Sequence, residues 1–139
     1  MVTISIVYEG QLRTSAVHGP SATQLVTDAP RDNQGKGESF SPTDLVATAL
    51  GSCMVTIMGI VARNHAIALE GATVRIEKEM CADPLRRIDT LRVRIGLPNG
   101  INEADRTKLE NAARTCPVAQ SISERIHVPI EFVPLEAGG

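Results

Sequence analysis

The chain has 139 residues, with 14 Lys and Arg against 16 Asp and Glu, for a net charge of −2. This balance supplies no cationic surface for phosphates, and an aromatic content of 2% without Trp supplies no base-stacking platform, so nucleic acid is not an expected partner. Apolar residues at 42% and charged residues at 22% fit a soluble globular protein, and the length fits a single domain, residues 1–139, with a core large enough to fold without staples.

The first stretch reads as an antiparallel meander. Val2, Ile4 and Ile6 alternate with Thr3, Ser5 and Val7, as in a strand with one well-buried face. Glu9-Gly10 is the expected turn into a second strand over 11–17. His18-Gly19-Pro20 is the next turn, and residues 22–28 form a third strand. Residues 29–40 make a polar loop with Pro30, Asn33, Gly35 and Gly37, of a length that is often functional.

Ser41-Pro42-Thr43-Asp44 is a strong helix start. Ser41 accepts a free N–H as the cap, Pro42 suits the first helical position, and Asp44 reaches back to the Ser41 N–H. Leu45, Val46, Ala49, Leu50, Met54, Ile57, Met58, Ile60 and Val61 then make the helix apolar on most faces up to about His65. Such a helix is expected to be buried, wrapped centrally by sheet. Strands over 72–80 and 91–97 follow as a hairpin with a long tip around Cys81-Ala82-Asp83-Pro84, with Arg86-Arg87 as an ordinary charged loop. A helix starts at Asn102 and carries Leu109, Ala112 and Ala113. Pro117 forces a break at Thr115-Cys116 and opens a second short helix to about Arg125. Residues 128–133 close the chain as a strand. The order β-β-β-α-β-β-α-α-β defines an α+β domain.

Met1 is followed by no basic start or small-residue cleavage site, and the apolar run over 50–62 is interrupted by Gly51, Ser52, Thr56 and Gly59, short of a membrane span. The expected location is therefore cytoplasmic, away from membranes, where three cysteines are not a structural disulfide framework. None of them belongs to a CxxC motif, and three Cys and three His without paired spacing do not suggest a metal site or any other cofactor.

The run Phe40-Ser41-Pro42-Thr43-Asp44-Leu45-Val46-Ala47-Thr48-Ala49-Leu50-Gly51-Ser52-Cys53, with Cys116-Pro117-Val118 later, resembles the OsmC/Ohr superfamily. Asp28-Ala29-Pro30 and Gly35-Lys36-Gly37 add to the likeness. The resemblance implies an intertwined homodimer whose long central helix is covered by antiparallel sheet, with active sites at the dimer interface. It implies a thiol peroxidase for organic hydroperoxides, with Cys53 as the attacking thiol, Cys116 as its disulfide partner and an external dithiol as reductant. By position alone Cys116 has the better claim to a thiolate, at the start of a short helix, because Cys53 lies about three turns inside its helix. In the family an Arg from the N-terminal strand region, paired with a Glu, activates the cysteine. Arg13 lies near that Arg; Thr43 stands where the Glu falls, and Glu38 is a substitute carboxylate. Cys81 is expected to be a bystander. His18, His65 and His127 are expected to be structural, and Met54 and Met58 to pack the core, with a second-tier role in lining a pocket for apolar tails. The alternatives on the same fold are a small-molecule-binding protein with inert cysteines and a redox sensor that turns over poorly.

Overall fold

The expected element order is the one observed in the computed structural model, which describes residues 1–135. Strands β1 (Ile4–Gly10), β2 (Arg13–His18) and β3 (Gln24–Asp28) precede helix α1 (Pro42–Asn64). Then come β4 (Thr73–Cys81), β5 (Arg87–Leu97), α2 (Glu103–Arg114), α3 (Pro117–Ser121) and β6 (Ile130–Pro134). The chain's contacts cluster into two units, with the boundary inside α1 between Val46 and Ala47.

In the first unit β1, β2 and β3 form an antiparallel meander in that order. The β1–β2 turn falls on Gln11 and Leu12, at φ 54° and 62°, rather than on Glu9-Gly10. Gly10, at φ 87°, instead lies at a register shift after Tyr8. A two-residue loop with both residues at positive φ has the twist that matches paired strands, which is why it forms here without the usual Gly or Asn. The well-buried face expected of β1 is not found: Ile4, Ile6 and Tyr8 are 58%, 65% and 64% exposed. The period-two pattern set the strand correctly, but the chain does not cover that face. Between β3 and α1, the polar loop contains a single 3-10 turn, Arg31–Asn33.

In the second unit β4 and β5 pair antiparallel, with residues 82–86 as the tip of the hairpin. β6 then pairs with the other edge of β5 in parallel, so the sheet is mixed rather than antiparallel throughout. The reason is the α2–α3 connection, which carries the chain back to the start of β5 before β6 begins. Leu91, Val93 and Ile95 of β5 are buried, as are Leu50, Met54 and Met58 of α1 and Leu109 and Ala113 of α2. Gly51 sets the approach of α1 to β4, because a Cβ there would meet Ile76 Cδ1 at 3.0 Å and Val74 Cγ1 at 3.1 Å. The Arg106 guanidinium donates to the Phe132 carbonyl at 3.0 Å, and Arg114 lies over the Phe132 ring, tying α2 to β6.

The expectation that α1 is buried all round is corrected. Ala47, Leu50, Gly51, Met54, Met58 and Ala62 form one buried stripe, while Ser52, Thr56 and Ile60 are exposed. At 23 residues, with a window of mean hydropathy 2.1, the helix is also long and apolar enough by length and composition to cross a membrane, contrary to the sequence reading. The small polar and glycine interruptions lower its hydropathy too little to matter. Its buried stripe serves the core of a soluble α+β fold.

Candidate functional site: a thiol pair on two helices

Ser41 and Asp44 start α1 with the reciprocal bonds anticipated from sequence. The Asp44 N–H donates to Ser41 Oγ at 3.1 Å, and the Ser41 N–H donates to Asp44 Oδ2 at 2.9 Å. These bonds satisfy two orphan donors and fix the helix start. Cys53 lies further along α1, half-buried.

Cys116 is set by the break between α2 and α3. Pro117 disfavours helical geometry at the residue before it, and Cys116 is extended at φ −64° and ψ 153°. It is the N-cap of α3, and its Sγ accepts the Ala119 N–H at 3.5 Å. The residue is fully buried. Its thiol is close enough to that of Cys53 to be influenced by it, so these two sequence-predicted residues, from α1 and the α3 cap, are neighbours. All three cysteines are free thiols.

Burial is the main influence on Cys116, pushing its thiol above the ordinary value of 9.0. The Ala119 N–H pulls the other way, as an N-cap donor should; the neighbouring Cys53 side chain and the negative charge of a Cys53 thiolate add to the rise, and the Val118 N–H opposes it. Cys116 therefore holds its proton more tightly than an ordinary thiol. Sequence position had favoured Cys116 as the thiolate; desolvation outweighs the helix end at this site.

The other two predicted residues meet in the first unit. Arg13 Nη1 lies 3.5 Å from Glu38 Oε2, with side chains 34% and 55% exposed. Glu38 is delivered by a loop whose backbone is closed on itself: the Gly35 N–H donates to the Pro30 carbonyl and the Gly37 N–H to the Ala29 carbonyl. Thr43 offers only a hydroxyl, 3.2 Å from Ser41 Oγ.

Sequence reasoning gave no role to Asp28. It is fully buried at the end of β3, and its Oδ2 accepts the Glu38 N–H at 2.9 Å. The signal was a charged residue completing an apolar strand just before Ala29-Pro30. Cys81 ends β4 opposite Arg87 and is not among the groups that act on the Cys116 thiol. His18 Nδ1 bonds Ser21 Oγ across its turn, His65 is exposed just beyond α1, and His127 makes an isolated bridge to Thr90. Met54 and Met58 are fully buried core residues. Among the described residues, no three His, Cys, Asp or Glu side chains gather to hold a metal ion.

A mixed sheet with a long helix that carries Cys53, and a short helix capped by the neighbouring Cys116, define an α+β protein with two adjacent thiols. The family model described as OsmC-like protein matches residues 35–131, and the chain belongs to that family. Among solved structures, the chain is similar to a Psychrobacter arcticus protein provisionally named an osmotic stress induced and detoxification response protein. The two are 46% identical over 95% of this chain and 96% of the other, with a TM-score of 0.90. It shares its fold with an organic hydroperoxide resistance protein OsmC from Legionella pneumophila, at 19% identity, 96% coverage of each chain and a TM-score of 0.77. It also shares it with an organic hydroperoxide resistance protein from Elizabethkingia anophelis, at 14% identity, 96% coverage of each and a TM-score of 0.73. No curated protein matches the chain significantly.

Proposed function

We propose that the protein is a cytoplasmic thiol peroxidase that reduces organic hydroperoxides through Cys53 and Cys116. The observation that carries this reading is that a fully buried Cys116 and a half-buried Cys53 are neighbours, close enough for each thiol to influence the other. A Cys53 thiolate attacks the terminal oxygen of ROOH. The O–O bond breaks, the alkoxide leaves and takes up a proton as ROH, and Cys53 becomes a sulfenic acid. The Cys116 sulfur then attacks the Cys53 sulfur, releasing water and forming the disulfide. An external dithiol returns both thiols and leaves as its own disulfide.

Activation of Cys53 is assigned to Arg13, held by Glu38 in place of the carboxylate that Thr43 lacks. Ala49 and Ile57, one turn to either side of Cys53 on α1, are apolar and incompletely buried, which favours an alkyl tail over hydrogen peroxide. The exposed apolar residues of β1 support a homodimer, since an exposed apolar strand face of this kind marks an interface. The hydroxyl at Thr43 favours one rival, a redox sensor that forms the disulfide without efficient turnover.

The test is a thiol count by intact mass after a few equivalents of cumene hydroperoxide. Wild type should lose two thiols as one disulfide, Cys116→Ser should stop at a trappable sulfenic acid, and Cys53→Ser should not react. Unchanged thiols in folded wild type would refute the peroxidase. Disulfide formation without steady-state consumption of a dithiol would leave the sensor.

A further inference from the structure

Asp28 is a buried carboxylate that the chemistry above does not use. Its Oδ2 holds the Glu38 amide, while its Oδ1 is buried without a hydrogen-bond partner. Its own N–H donates to the Phe40 carbonyl at 3.0 Å. An unpaired carboxylate oxygen out of water is costly, and it is best tolerated near a positive charge. In the β2–β3 ladder the residue directly opposite Asp28 is Arg13. Directly opposed side chains leave a sheet on the same face, with their Cβ atoms about 5 Å apart. Arg13 in turn is ion-paired to Glu38, the residue whose amide Asp28 holds.

We infer that Asp28 is the positioning residue of the Arg13–Glu38 pair. It fixes Glu38 through the backbone amide and restrains the Arg13 guanidinium through its charge, so that one buried carboxylate sets both halves of an exposed ion pair. The adjoining backbone supports this role. Arg13 follows two residues held at positive φ, and the second of them, Leu12, accepts the Ala29 N–H through its carbonyl at 3.1 Å. The inference rests on the reading of Arg13 as the group that activates Cys53, and the test separates the two.

The experiment is the pH dependence of Cys53 alkylation by iodoacetamide in a Cys81→Ser, Cys116→Ser background, for Arg13→Ala, Asp28→Asn and both together. Removing an activating cation should raise the midpoint by about one unit or more. Asp28→Asn, which keeps size and shape, should raise it by at least half as much as Arg13→Ala. The double variant should match Arg13→Ala alone, because Asp28 acts through Arg13. No shift with Arg13→Ala would overturn the activating role itself. A shift with Arg13→Ala but none with Asp28→Asn would overturn the role of Asp28. So would a lowered midpoint with Asp28→Asn, which is the sign expected if Asp28 acted only by its own negative charge. Amide exchange in the wild-type fold is a second measurement that does not depend on the variants folding. The Glu38 amide should exchange at least tenfold more slowly than that of exposed Lys36, and equal rates would overturn the proposal.

Discussion

Gly35→Ala tests whether the loop between β3 and α1 is a rigid support for Glu38. A Cβ at this position would lie 1.8 Å from the Ala29 carbonyl oxygen, 2.2 Å from its carbon and 2.5 Å from the Ala29 Cβ. Comfortable contacts between such atoms are about 3.5 Å, so one side must move by roughly 1.7 Å. Ala29 cannot give by rotating a side chain, because the colliding atoms include its backbone. Its N–H is held by Leu12, and its carbonyl accepts the Gly37 N–H at 3.1 Å. The displacement should therefore break the Gly37–Ala29 bond and the Gly35–Pro30 bond, at about 1 kcal/mol each. The expected loss is about 2 kcal/mol, or roughly 5–8 °C in Tm for a chain of this size. Urea denaturation of wild type and variant measures the first figure, and calorimetry the second. The same displacement should uncouple Glu38 from Arg13, so that adding Glu38→Gln to Gly35→Ala changes Cys53 alkylation no further. A variant within about 0.5 kcal/mol of wild type would show that the loop relaxes freely, and the argument for a rigid support would fail.

Three further outcomes are expected. Ser41→Ala should cost about 1 kcal/mol in urea denaturation, because Ser41 is buried and its hydroxyl caps α1 through the Asp44 N–H. The Cys116 thiol is raised above 9.0 by burial in the folded chain, so the folded state holds that proton more tightly than the unfolded one. The resulting stabilisation is complete below about pH 9 and is lost as pH rises through the folded value; denaturation from pH 7 to 11 should fall more steeply for wild type than for Cys116→Ser. Ile6 is 65% exposed on β1, and Ile6→Asp should shift a homodimer toward monomer in sedimentation velocity, whereas a wild type already monomeric at micromolar concentration would refute the dimer.

The parts of the fold set by local chemistry were legible in the sequence. Ser41, Pro42 and Asp44 announce a helix start through side chains that act within one turn, and the helix begins there. Pro117 disfavours helical geometry at Cys116, and the cysteine is extended there as the N-cap of α3. Parts that depend on distant surfaces were not legible. Alternation in β1 shows that the strand has an apolar face but not what covers it. Gln11 and Leu12 carry no turn signature, because their left-handed geometry is imposed by the strands on either side. The parallel docking of β6 depends on the path of α2 and α3, which no periodicity records. At the candidate site, the cysteines and Arg13 were singled out by motif and position. Asp28 was passed over because its buried carboxylate binds an amide ten residues away, which no local pattern records.

The parallel β5–β6 ladder also bears on the order in which the chain becomes competent. The β4–β5 hairpin and the start of α1 depend on close sequence neighbours and can form early. A parallel pairing closed only after two intervening helices is a slow, long-range event. Cys116 lies inside that crossover, and Cys53 lies outside it. The thiols come from distant parts of the chain and meet only once the helices that carry them have packed, so the pair is a property of the folded chain and not of either segment.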